Sequence, residues 1–228
     1  MISDYASLQQ AIADWLSRAD LASQIPTFIQ LAEARMNKDV RVLSMQAETS
    51  GYLNSPDIYL STDILELQSV RMTLFGMDYE IPPLAPERMA DRNVNTAMPL
   101  GYVRVGYVLY LIGGNIETQA PGSTSTPPTY SLLYFQKIPA LSSVGTTTDL
   151  PGGGTETTAP NTNNWLLQSE PGLYLYASLI EASPYLQDDA RTLVWAEQYK
   201  SILTGMRVAD DNARYGNAPS TRMRGYTP

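Results

Sequence analysis

The sequence predicts an α+β fold: a helical bundle built from both ends of the chain, an inserted antiparallel β-domain, and an extended C-terminal arm. Three observations predict it. Residues 24–41 carry apolar side chains at helical spacing, the period changes to that of short strands from about Gln46, and helical spacing returns near Ser169. The expected boundaries are residues 1–45 with 165–213 for the bundle, 46–164 for the inserted β-domain, and 214–228 for the arm.

Asp4 is placed to cap a first helix in which Tyr5, Leu8, Ile12, Trp15, Leu16 and Ala19 recur at helical spacing. Asp20 and Ser23 mark the turn that follows. In the second helix Ile25, Phe28, Ile29, Ala32, Met36 and Val40 form one apolar stripe, with Gln30, Glu33, Lys38 and Arg41 largely off it. Pro26 stands near the start, where its missing N–H costs least. Residues 4–42 are therefore expected as a helical hairpin with Trp15 buried in its seam. Such a stripe needs a surface to bury against. The other strongly helical sequence lies near the C-terminus, so the two ends are expected to fold together.

From Gln46 onward the segments Tyr59–Thr62, Leu67–Leu74, Gly101–Tyr110 and Tyr130–Phe135 are short, rich in β-branched and aromatic residues, and bounded by Pro, Gly and Asn. They predict an antiparallel region over roughly 47–141, with Phe75-Gly76-Met77 at a hairpin tip and Pro86–Arg92 as a short helix. Residues 113–129 and 142–164 are dominated by Gly, Thr, Pro and Asn, including Thr146-Thr147-Thr148 and Gly152-Gly153-Gly154, and offer little from which to form a core.

Ser169 is the expected cap of the next helix, with Glu170 and Pro171 in its first turn; Leu173, Tyr176, Ala177 and Ile180 stripe it, and Pro184 ends it. Asp188 then caps a long helix in which Arg191, Val194, Trp195, Gln198, Tyr199, Ile202, Leu203 and Met206 keep the period to about Ala213. After Tyr215-Gly216 periodicity stops, and Pro219, Gly225 and Pro228 make the remainder an extended arm.

Composition narrows the function. A 43% hydrophobic fraction is an ordinary globular balance, and the longest apolar run, Tyr107–Ile112, falls far short of the roughly 20 residues that span a bilayer. The first residues show no secretory signal pattern, so synthesis in the cytoplasm without membrane attachment is expected. There is no cysteine and no histidine, which removes disulfides, Cys/His zinc sites, Cys nucleophiles and Ser-His-Asp triads. The net charge of −8 argues against a general nucleic-acid binder. Residues 214–228 hold Arg214, Arg222 and Arg224 and no acid, so an acidic body carries a short basic tail.

No phosphate loop, dinucleotide fingerprint or nucleophile elbow is present, and neither a catalytic residue nor a cofactor is expected. Asp188-Asp189 reads as a helix cap and Asp210-Asp211 as a solvated helix end, because adjacent helical residues point about 100° apart and do not easily share an ion. Asp57, Asp63 and Glu66 lack calcium-loop spacing, so no metal is expected there. Tyr102, Tyr107, Tyr110, Tyr130 and Tyr134 suit strands and interfaces; a carbohydrate-binding module is the alternative function, and a carboxylate hydrolase using Asp57 or Glu66 a further one. In the tail, Arg214, Tyr215, Arg222, Met223, Arg224 and Tyr226 are residue types enriched at protein interfaces.

Thr27–Asn37, Ile138-Pro139-Ala140-Leu141, Asn164-Trp165-Leu166-Leu167, Leu173–Tyr176 and Glu181–Leu186 closely resemble, in order and spacing, the head-to-tail adaptor proteins of tailed bacteriophages. Departures are Ser183 before Pro184, where small Ala is common, and a long 142–164 segment. The resemblance implies a structural virion protein at the neck and no enzyme. It implies a homo-oligomeric ring, commonly a dodecamer, attached beneath the portal protein, with a distal nozzle or stopper protein below. The ring would continue the DNA channel without sequence-specific binding. It further implies that the C-terminal arm reaches up into the portal, which makes Arg214, Tyr215, Arg222, Met223, Arg224 and Tyr226 the portal-facing residues.

Overall fold

Asp4 opens the fold as expected: its carboxylate accepts the Ser7 N–H at 2.8 Å, and the Ser7 hydroxyl accepts the Asp4 N–H at 3.0 Å, so two orphan donors of α1 (Tyr5–Leu16) are satisfied reciprocally. A computed structural model describes residues 1–74, 76–96, 98–114, 128–149, 155–186 and 190–215 of the chain. It is a mixed helix and antiparallel-sheet protein whose described residues form two compact units. One joins Met1–Leu43 to the chain from Ile138 onward, and the other is Ser44–Lys137.

The first unit is helical. After a 3₁₀ segment, α2 (Ile25–Asp39) buries Ile25, Phe28, Ile29, Ala32 and Met36, with Val40 buried just beyond its end. Glu33, expected off the stripe, is buried as well, because the returning chain lies over that side of α2 and uses its carboxylate. α1 turns Tyr5, Leu8, Ile12 and Leu16 inward. Trp15 is not in a buried seam: the stripe selects Leu16, and Trp15 stays 45% exposed with its ring edge-on to Tyr176 at 5.8 Å.

Beyond Ile138 the unit continues with the hairpin β8–β9 (Thr146–Asp149 and Thr155–Thr158), α3 (Trp165–Ser169), α4 (Pro171–Ala182) and α5 (Arg191–Tyr215). Ser169 ends α3 and does not cap a helix. Asn164 caps α3 by accepting the Leu167 N–H at 2.8 Å, and α4 starts at Pro171. α4 buries Leu173, Tyr174, Leu175, Ala177, Ser178, Leu179 and Ala182, more than one face can hold, because α1, α2, α3 and α5 all pack on it. Tyr176 and Ile180, expected on its stripe, are only half-buried. α5 buries Trp195, Tyr199 and Leu203 and leaves Leu193, Val194 and Val208 exposed. The expected cap at Asp188 lies outside the described residues.

The second unit is the β insertion. A four-stranded antiparallel sheet has the order β1-β7-β3-β4 (Gln46–Tyr52, Thr129–Gln136, Ile64–Leu74, Met77–Glu80), and a three-stranded sheet the order β2-β6-β5 (Asp57–Tyr59, Val108–Ile112, Gly101–Val105). Ile58, Leu60, Ile64, Val70, Met72, Tyr102, Leu109, Leu111, Leu132 and Tyr134 from both sheets form its core. Gly76, at φ 76°, sits in the left-handed turn between β3 and β4, where the tip was expected; Phe75 lies outside the described residues. Pro86–Asp91 is a 3₁₀ helix.

The inserted unit is shorter than the expected 46–164. Residues from Ile138 group with the helices because their backbone N–H groups bond to α2 side chains, and the Thr-rich stretch pairs with itself as β8–β9. The expected start of the arm at 214 falls inside α5, which runs through Tyr215; residues 216–228 lie outside the described residues.

Candidate assembly site

Where the chain returns from the β unit it has no regular structure, so its polar groups need side-chain partners. α2 supplies two of them one turn apart. Asn37 Oδ1 accepts the Ile138 N–H at 2.9 Å, and Glu33 Oε1 accepts the Leu141 N–H at 2.7 Å. Asn164 donates from Nδ2 to the Pro139 carbonyl at 2.7 Å and to the Tyr174 hydroxyl at 2.6 Å while its Oδ1 caps α3, so one buried amide joins three segments. Tyr174 in turn donates to Glu33 at 3.4 Å.

This clamp roots the β8–β9 hairpin. Asn161 Nδ2 donates to the Ala140 carbonyl at 2.9 Å, the Ser142 N–H donates to the Asn161 carbonyl at 2.8 Å, and the Tyr5 N–H donates to the Thr162 carbonyl at 2.8 Å. Burial pushes the Glu33 carboxyl up to about 7, partly offset by the Leu141 and Tyr174 hydrogen bonds. Burial, with the neighbouring Glu33 charge, pushes the Tyr174 phenol well above its usual range.

The outgoing junction is held by α5. Tyr199 donates to Asp39 Oδ2 at 2.9 Å, Arg207 donates to the Asp39 carbonyl at 2.8 Å, and Asp210 accepts the Leu43 N–H at 2.5 Å. Burial raises the Tyr199 phenol, and the Asp39 carboxylate adds to it. Asp210 is not the solvated helix end expected from sequence. Its side chain is 10% exposed and also takes Arg214 Nε at 2.8 Å.

Of the residues singled out for the portal contact, Arg214 and Tyr215 are thus the last residues of α5, and Arg214 is paired within its own helix. Arg222, Met223, Arg224 and Tyr226 lie outside the described residues. The clamp residues Glu33, Asn37, Asn161, Asn164 and Tyr174 were missed as a group. The available signal was that Glu33, Asn37, Asn164 and Tyr174 stand inside the same short blocks that carry the family resemblance.

The strand tyrosines do not form one exposed groove. Tyr102 and Tyr134 are buried, Tyr130 packs on the core, and Tyr110 lies under the Arg92 guanidinium at 4.8 Å, leaving Tyr107 half exposed. The acids Asp57 and Asp63 have separate partners: Asp57 pairs with Arg92, while Asp63 takes Gln136 Nε2 at 2.6 Å. Among the described residues no group of three or more His, Cys, Asp or Glu side chains could hold a metal, and no helix is long and apolar enough to cross a membrane.

Residues 3–224 match the family model described as SU10 adaptor protein. No curated protein matches the chain.

Proposed function

The chain belongs to the SU10 adaptor protein family of tailed-phage head-to-tail adaptors, and we propose that it forms a homo-oligomeric ring between the portal and the tail that continues the DNA channel. The family match over nearly the whole chain is the observation that carries this reading. The ring is proposed to have twelve copies, to bind the portal protein above and a distal nozzle or stopper protein below, and to be located at the virion neck, its chains synthesised in the host cytoplasm. An acidic body suits a conduit, since like charge keeps a duplex from adhering to its wall.

The portal contact is assigned to the C-terminal arm, with Arg222, Met223, Arg224 and Tyr226 as its main residues. Arg makes bidentate bonds with carboxylates that Lys does not reproduce, so acidic groups on the portal are the proposed partners. Arg214 and Tyr215 root the arm on α5. Deletion of residues 216–228 should leave the thermal melt of the protein unchanged and abolish co-sedimentation with DNA-filled tailless heads. Unchanged co-sedimentation refutes the arm assignment, and a collapsed melting temperature places the arm in the protein's own core instead. A glycan array should show no saturable binding, which is the outcome that separates this reading from a receptor-binding module.

A further inference from the structure

Antiparallel pairing directs the backbone groups of alternate residues toward the neighbouring strand and those of the residues between them away from it. The Leu53 N–H donates to the Pro128 carbonyl at 2.8 Å, one step beyond the Tyr52↔Thr129 pair, so residues 53, 51, 49 and 47 face β7. Gln46, Glu48, Ser50 and Tyr52 therefore turn their N–H and C=O groups outward. Among the described residues no backbone group bonds this edge. The inward face is filled: a Cβ on Gly51 would stand 2.8 Å from the Tyr130 hydroxyl.

The other edges are protected or short. β5 is covered at Tyr102, which exchanges backbone bonds with Pro82 and Leu84. β2 is three residues long. In β4 the Ile81 N–H bonds to Val70, which turns Asp78 and Glu80 outward, so this edge carries two acids. Among the described strands, β1 presents a seven-residue edge with no proline, no bulge and one acid, Glu48.

The helical unit holds the complementary element. β8–β9 is a two-stranded ribbon whose principal contacts are between its own strands, and an isolated ribbon of this kind is marginal in water. It is nevertheless rooted on both legs by the Asn161, Ala140 and Thr162 bonds described above. β8 carries one acid, Asp149, at its last position, and Thr146–Thr148 set none against Glu48 along the rest of the strand.

We propose that β8 of one copy adds to the outer edge of β1 of a second copy, so that the rooted hairpin and the open sheet edge form the contact between neighbours. The contact joins two different surfaces, and such head-to-tail contacts close into rings when the rotation permits. The inference rests on the ring reading above and names the strands that build it.

The test uses the full chain, which has no cysteine of its own, so introduced thiols are unique. Portal-bearing heads are loaded with the double variant Ser50→Cys/Thr147→Cys and treated with a short bismaleimide. The expected product is a ladder of covalent oligomers, and mixing the two single variants should yield covalent heterodimers. Rings visible by electron microscopy that give only uncrosslinked chains, or only an internal link within one chain, overturn the proposal. A wild-type chain that forms no ring on the heads fails the adaptor reading first, and this contact with it. Ser50→Pro provides an independent check, because it removes an outward N–H and leaves the β7 ladder intact. Its melting temperature should match wild type while ring formation is lost; normal rings would also overturn the proposal.

Discussion

Glu33, Asn164 and Ser178, the buried polar residues of the described chain, all lie in the helical unit, whereas the core of the β unit is built from Leu, Ile, Val and Met joined by Tyr102 and Tyr134. The difference follows from where each unit's backbone finds its hydrogen bonds. In the sheets of the β unit, ladders satisfy the strand backbone and the core side chains need only fill space. In the helical unit a stretch without regular structure, Ile138–Ser142, is laid against α2, and its N–H groups are satisfied by Asn37 and Glu33. Apolar alternation therefore specifies one unit, and a small number of buried polar side chains specifies the returning path in the other.

The largest effect expected from that contrast is in the apolar unit. Leu109→Ala removes a fully buried side chain from the β core and should cost about 2–5 kcal/mol. Trp15, Trp165 and Trp195 all belong to the helical unit. The loss should therefore appear as lower amide hydrogen-exchange protection of β3 and β7 in urea, with a smaller shift in tryptophan fluorescence. Equal shifts in both would show that the two units unfold as one.

Asn164→Leu keeps the volume and removes the cap of α3 together with the bonds to Pro139 and Tyr174, so a loss of about 2–4 kcal/mol is expected. This loss should be seen by tryptophan fluorescence. A change under about 0.5 kcal/mol would mean that water replaces these bonds readily and that the clamp does not specify the path.

Glu33 gives the contrast a pH dependence. An acid whose folded pKa lies near 7, above its unfolded value of 4.5, holds a proton in the folded state that the unfolded state has released between those values. Stability from this group therefore falls as pH rises from 4.5 toward about 7 and is flat above that, with a total on the order of 1–3 kcal/mol. Tyr174 and Tyr5, the groups with which Glu33 interacts, stay neutral across this window because their phenols are raised. Glu33→Gln keeps an acceptor for the Leu141 N–H and should abolish the slope in urea denaturation between pH 5 and pH 7.5, measured as the difference from wild type. Identical slopes would assign the pH dependence elsewhere.

The smallest effect is expected for Tyr134→Phe in the β core, under about 1 kcal/mol, since alternation places the ring there and the hydroxyl is not part of a buried network. A loss comparable with that of Asn164→Leu would erase the distinction between the two units.

The same distinction explains what was legible in the sequence. The stripe from Ile25 to Val40 and the segments that became β3, β5, β6 and β7 were readable because periodicity reports burial on one face. α4 was placed but its buried set was not, because a helix packed on several sides has no single stripe. Glu33 read as surface because a charge is normally solvated; its burial depends on a segment more than a hundred residues away in the chain, which periodicity cannot sense. The β8–β9 hairpin was hidden by its Thr and Gly content. Residues Arg222 to Tyr226 were read from composition alone and lie outside the described residues, and Arg214 belongs to α5, where it pairs with Asp210.

The proposed ring at the junction between portal and tail is tested most directly by electron microscopy of DNA-filled, tailless heads before and after addition of the purified full chain. A new ring of density is expected at the portal vertex after addition, with heads carrying the ring becoming competent to bind tail components. Heads whose portal vertex is unchanged at saturating protein, or density bound over the whole capsid surface, would contradict it.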